Sequence, residues 1–154
     1  MWLSHLGTFG TLWLGIALAL ALVRRRPDLL LLVLAADAIA DLMAYAIKRF
    51  VDVERPPFRY AEPKALVQVP RDHSFPSGHA ATSFACATLL AFAFPRLAAP
   101  LYLLAAAIAF SRVYVGVHYP FDVVGGALVG IVVAIALLRL ARGPRRSPRS
   151  PRRG

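Results

Sequence analysis

Long apolar runs broken at short intervals by charged or proline-rich segments dominate the chain. A bilayer-spanning helix needs about 20 predominantly apolar residues. Five runs approach that length: Leu6 to Val23, Leu29 to Ile47, Ser77 to Phe94, Leu97 to Val113 and Pro120 to Leu140. They are rich in Ala and Leu and lack strict alternation, which predicts helices rather than strands. The expected fold is all-α, a polytopic membrane bundle of about five spans. It occupies residues 1–141, and a disordered basic tail follows from 142 to 154.

Composition agrees. Hydrophobic residues make up 58% of the 154-residue chain, and mean hydropathy is +0.60. A water-soluble core of this length needs far less. The net charge of +10 suggests nucleic acid only until its distribution is considered. Seven of the eighteen basic residues lie between Arg139 and Arg153, and most others punctuate the ends of apolar runs. That pattern sets topology and excludes nucleic acid as the expected partner. With the tail inside, Arg24–Arg26 and Arg96 also fall inside. The N-terminus, the 48–76 segment and the 111–120 segment then fall outside. The first run is read as a retained helix and not a cleaved leader: residues 1–10 lack Lys and Arg, and three Arg residues follow the run. Cys86, alone in the chain and inside an apolar run, is read as a small core residue.

The polar residues gather at the ends of these runs. Lys48 and Arg55 follow the second. Ser77, Gly78 and His79 open the third. Ser111 and Arg112 close the fourth, and His118 and Asp122 open the fifth. The topology puts all four groups on the outer face. The plain alternative is a set of unrelated interfacial caps. Three cations on one face suit a phosphate group, unless Asp52 and Glu54 pair with them. Ser77 is a good N-cap, Gly78 permits close backbone approach, and free N–H groups at that helix start favour an anion. His118 and Asp122 are spaced i, i+4, so the carboxylate can fix the imidazole tautomer and leave the other nitrogen to act as a nucleophile. A capping Asp beside an interfacial His is the plainer reading. His79 is a second imidazole, available as a proton donor. The cations disfavour a metal between the two His residues.

Asp37 and Asp41, also i, i+4, lie inside the second run, where carboxylates are costly. They are read as structural support for Lys48 or as partners across the bundle. Arg71 and His73 are read as exposed loop residues. Tyr114 and Tyr119 flank the polar cluster. Segment 57–72, broken by prolines, is read as a short amphipathic stretch over the outer surface.

Three motifs occur in order: KRFVDVERP from Lys48 to Pro56, PSGH from Pro76 to His79, and SRVYVGVHYPFD from Ser111 to Asp122. Together they resemble the signatures of the type 2 phosphatidic acid phosphatase family, which also includes vanadium haloperoxidases. The resemblance implies a metal-independent, cofactor-free lipid phosphatase of the cell membrane. His118 would attack phosphorus, supported by Asp122. His79 would protonate the leaving oxygen. Lys48, Arg55, Ser77, Gly78 and Arg112 would bind the phosphoryl oxygens. Undecaprenyl diphosphate is the favoured substrate, with phosphatidylglycerophosphate and phosphatidate as rivals. Haloperoxidase chemistry conflicts with five apolar spans. A non-enzymatic transporter of anions or lipid head groups is the alternative from another class.

Overall fold

The computed structural model describes residues 10–62 and 64–142. Six α-helices follow in order: α1 (Thr11–Arg24), α2 (Pro27–Lys48), α3 (Pro56–Arg59), α4 (Gly78–Ala93), α5 (Ala98–Tyr114) and α6 (Pro120–Arg142). No strand occurs among the described residues. A 3-10 turn, Pro95–Leu97, leads into α5. The expected helices therefore form, with ends shifted by a few residues. The start of the first run and the basic tail beyond Arg142 lie outside the described residues. Among the described residues, three segments are long and apolar enough to cross a membrane, Pro27–Lys48, Pro95–Tyr114 and Pro120–Arg142. Helices α1 and α4 are apolar but shorter.

Local chemistry sets the reversals. Arg25 adopts a left-handed conformation (φ 51°) after α1, and the Arg26 N–H returns to the Ala21 carbonyl at 2.9 Å. Pro27 then opens α2, where its missing N–H costs nothing. Gly116, at φ +77°, turns the chain between α5 and α6.

Helix α4 is the centre of the bundle. It packs most extensively on α6, then on α5 and α2. In lipid, apolar surface gains little by leaving the solvent, so close van der Waals packing and hydrogen bonds must hold helices together. The interfaces are built accordingly from small residues. Ala36, Ala40 and Ala44 form the buried face of α2, and Ala81, Ala85 and Cys86 face inward from α4. Cys86 is buried, as its place in an apolar run implies. Trp13 of α1 is fully buried and donates Nε1–H to Ser83 Oγ of α4 at 3.1 Å.

The α4–α6 contact is the tightest. Asp122, Gly126, Gly130 and Ala134 follow one another at four-residue spacing along the buried side of α6. A Cβ on Gly126 would run into the Ser77 carbonyl, and one on Gly130 into the Ala81 carbonyl and the Ala85 nitrogen. These two positions fix how closely α6 approaches α4, and with it the height of Asp122 against Ser77. Around Gly15 of α1, by contrast, a Cβ would meet nothing within 4 Å.

Gly130→Val should therefore destabilise the bundle by about 1–3 kcal/mol or more through overpacking. Gly15→Ala should be neutral or slightly stabilising, by up to about 1 kcal/mol. Thermal unfolding of the two variants in detergent checks this; equal midpoints would contradict the packing argument.

Candidate active site

The helix directions bring the C-terminal ends of α2 and α5 and the N-terminal ends of α4 and α6 to one end of the bundle. At the other end Arg24 stacks on Phe94 and Arg142 on Phe92. The site end holds the buried and half-buried polar residues of the three motifs, together with Asp72 and Ser74, which the motifs do not contain.

His118 and Asp122 are both buried, at 5% and 2% exposure. Pro120 opens α6, so the two residues face each other across the first turn. His118 Nδ1 lies 3.2 Å from Asp122 Oδ2. The same oxygen accepts the Tyr119 backbone N–H at 2.8 Å and the Ser74 hydroxyl. With Nδ1 donating to the carboxylate, Nε2 carries the lone pair of the neutral ring. Arg55 Nη1 is 3.1 Å from that nitrogen and donates to it. Burial pushes the His118 pKa below the ordinary histidine range. The hydrogen bond to Asp122 opposes that shift, and the charges of Arg55 and Lys48 add to it.

The cations are held differently from the sequence expectation. Asp52 and Glu54 are not their partners: Asp52 pairs with His73 at 3.0 Å. Asp72 takes that place. Its Oδ2 accepts from Lys48 Nζ and its Oδ1 from Arg55 Nη2, each at 2.7 Å. Backbone carbonyls complete both shells. Lys48 Nζ donates to the His73 carbonyl at 3.0 Å. Arg55 donates to the carbonyls of Asp72 and Val117 at 3.0 and 2.9 Å. Burial alone would raise the Asp72 pKa, but the Lys48 hydrogen bond and the two positive charges outweigh it and hold the carboxyl down at about 2.

Ser77 stands at the N-cap position of α4 and is fully buried, yet it makes no side-chain cap. Among the described residues its hydroxyl has no hydrogen-bond partner, an expensive state for a buried group. The Ser77 N–H donates to the Asp122 carbonyl at 2.9 Å, which ties the start of α4 to the start of α6. Gly78 and His79 follow in the first turn, both half-buried. Arg112 is half-buried at the end of α5, with Nε donating to Ser111 Oγ at 3.2 Å.

Of the intramembrane acids, Asp41 approaches this site: its Oδ1 is 3.3 Å from where a Gly78 Cβ would stand. Asp37 sits one turn deeper, 5% exposed, with Oδ1 unpartnered among the described residues. The direct support of Lys48 comes from Asp72 and the His73 carbonyl. Tyr119 reaches Asp122 through its backbone, whereas Tyr114 is 71% exposed. Segment 57–72 is mostly irregular after the one-turn α3, with the Leu66 N–H bonded to the Val115 carbonyl.

Asp72 and Ser74 are the residues sequence reasoning missed. They lie four and two residues before Pro76 of PSGH, and that nearness was the available signal.

The PAP2 superfamily profile matches residues 10–146. The chain belongs to that superfamily. It is 39% identical over 150 residues to decaprenylphosphoryl-5-phosphoribose phosphatase of Mycobacterium tuberculosis, covering 94% of this chain and 80% of that protein. It is 30% identical to an undecaprenyl-diphosphatase of Sulfolobus acidocaldarius, covering 86% of this chain and 65% of that one. A transmembrane PAP2-type phosphatidylglycerolphosphate phosphatase from Bacillus subtilis superposes with a TM-score of 0.64 at 26% identity, over 92% of this chain and 74% of that one. Aquifex aeolicus LpxE does so at 0.68 and 28%, over 84% and 82%. Family membership places the chain among the phosphatases and supports its residence in a membrane.

Removing the Ser74 hydroxyl takes one of three donors from Asp122 Oδ2. Ser74→Ala should cost about 1 kcal/mol of stability, measured as a lowered unfolding midpoint in detergent. An unchanged midpoint would mean that the hydroxyl adds nothing to the buried network.

Proposed function

We propose that the chain hydrolyses the phosphate of a prenyl-linked membrane lipid through a phosphohistidine at His118. The observation that carries this is the buried His118, with Nδ1 on Asp122 and Nε2 turned toward the Arg55–Lys48 group. Nε2 attacks phosphorus and the P–O bond to the leaving group breaks. His79 gives that oxygen a proton. Water, deprotonated by His79, then attacks the phosphohistidine and releases inorganic phosphate. Asp122 keeps the proton on Nδ1 and stabilises the ring as it becomes cationic. Lys48, Arg55, Arg112, the Ser77 hydroxyl and the Gly78 N–H receive the charge that develops on the phosphoryl oxygens.

Undecaprenyl diphosphate is the favoured substrate, converted to undecaprenyl phosphate and inorganic phosphate. Similarity to the Sulfolobus undecaprenyl-diphosphatase supports it, as does 31% identity over 103 residues to Bacillus subtilis undecaprenyl-diphosphatase BcrC. The 39% identity to the mycobacterial decaprenylphosphoryl-5-phosphoribose phosphatase favours a second reading, a prenyl-linked sugar phosphate. Both share the long prenyl tail and the exposed phosphate. The site would face outward. Arg24 and Arg142 at the opposite end of the bundle support a cytoplasmic position for that end.

The deciding experiment is phosphate release in detergent from a panel of undecaprenyl diphosphate, a prenylphosphoryl-5-phosphoribose, phosphatidylglycerophosphate and phosphatidate. Wild type should prefer a prenyl lipid, and His118→Ala should lose roughly 10³-fold or more in turnover while still folding. Near-normal turnover in that variant would sink the mechanism. A histidine-selective NMR titration supplies a second check. Burial disfavours the charged ring, so His118 should stay neutral as pH falls through the ordinary value of about 6.5 and take its proton only below it. The resonance is identified by its loss in His118→Ala, and a midpoint at or above 6.5 would contradict this environment.

A further inference from the structure

The pairing of Asp72 with Lys48 and Arg55 poses a problem for any phosphate site, because the carboxylate already occupies the donors a phosphoryl group needs. The geometry divides the work of this segment in two. Backbone carbonyls of Asp72, His73 and Val117 hold the two cations in position. The Ser74 N–H anchors that backbone to the Val53 carbonyl at 2.7 Å. The Asp72 side chain contributes charge. It is also the one partner open to water: its side chain is 42% exposed, against 9% for Lys48 and 3% for Arg55.

We propose that the Asp72 carboxylate is a displaceable counter-ion that occupies the phosphoryl-binding positions on Lys48 and Arg55 and competes with phosphate for them. The proposal rests on the phosphatase reading of the site. Rotation of the side chain toward solvent frees Lys48 Nζ and Arg55 Nη2 while the carbonyls keep both cations in place. Arg55 links this exchange to the nucleophile, because its Nη1 donates to the lone pair of His118 Nε2. Attack on phosphorus requires that bond to be given up, so a phosphoryl oxygen that accepts the Nη1 proton in place of Nε2 uncaps the nucleophile while Arg55 stays on its carbonyls. After the reaction, the returning carboxylate displaces inorganic phosphate. Asp72 is thus a positioning residue with a role in product release.

The test measures binding of inorganic phosphate to the purified full chain in detergent by calorimetry, beside phosphate inhibition of lipid hydrolysis. Asp72→Asn keeps the shape and removes the competing charge. It should bind phosphate about tenfold tighter (1.4 kcal/mol), with lower KM and lower kcat. Asp72→Glu, which retains the competitor, should stay near the wild-type affinity. Equal or weaker phosphate binding by Asp72→Asn would overturn the proposal and make the carboxylate a fixed brace for the two cations. Tightening in Asp72→Glu equal to that in Asp72→Asn would also overturn it. Should Asp72→Asn not fold, infrared difference spectra of ¹³C-aspartate-labelled wild type on adding phosphate decide: a shifted carboxylate band supports the exchange and an unchanged one overturns it. Failure of wild type to release phosphate from any lipid in the panel would sink the phosphatase reading, and calorimetry would still separate exchange from bracing.

Discussion

One backbone hydrogen bond, from the Ser77 N–H to the Asp122 carbonyl, sets the height of one half of the site against the other. Ser77 is the last residue before α4, and Asp122 lies in the first turn of α6. Neither helix gains much from burying apolar surface when its alternative surroundings are lipid. Their mutual position therefore depends on close backbone approach, and Gly126 and Gly130 provide it. A displacement of α6 by one residue would move Asp122 about 1.5 Å along the axis and turn it by about 100°. The carboxylate would then miss Ser74, and the start of α4 would lose its partner on α6. Packing well inside the bundle thus fixes the geometry of polar groups at its end.

Much of this was legible in the sequence, for identifiable reasons. A run that must cross or line a lipid phase has little freedom in length or composition, so the helical segments show directly. The i, i+4 spacing of His118 and Asp122 specifies their contact once Pro120 starts the helix. The gathering of Lys48, Arg55 and Ser77 follows from folding adjacent helices back on one another. The Asp72 contacts follow from none of these rules. Residues 49–77 contain five prolines and one helical turn, so no periodicity says which side chains meet. Asp52 and Glu54 are nearer to Lys48 and Arg55 in sequence than Asp72 is. The path of the irregular chain turns Asp52 to His73 and brings Asp72 to both cations. Ser77 shows a related limit. It stands at the N-cap position its sequence place implies, but its hydroxyl makes no cap.

The cost of burying charge links the fold to its chemistry. Lys48 and Arg55 are almost wholly removed from water, and a buried cation without compensation costs several kcal/mol. With His118 neutral, the two buried cations face two carboxylates, Asp72 and Asp122, while Arg112 stands half-buried beside them. The Lys48–Arg55–Asp72–Asp122 group is therefore near neutrality and can be buried at modest cost. Binding a phosphoryl dianion asks for the opposite, a surplus of positive charge. A site of permanent surplus would strain the resting fold and hold its product tightly. The arrangement separates the two demands by accessibility. Asp122 is buried and bound by three donors, so its charge is fixed. Asp72 is exposed on one side, so its charge can leave the group for water without dragging the cations with it. In the proposed exchange, the phosphoryl group supplies the compensation that Asp72 withdraws. On this reasoning the partial exposure of Asp72 is as necessary to turnover as the burial of His118.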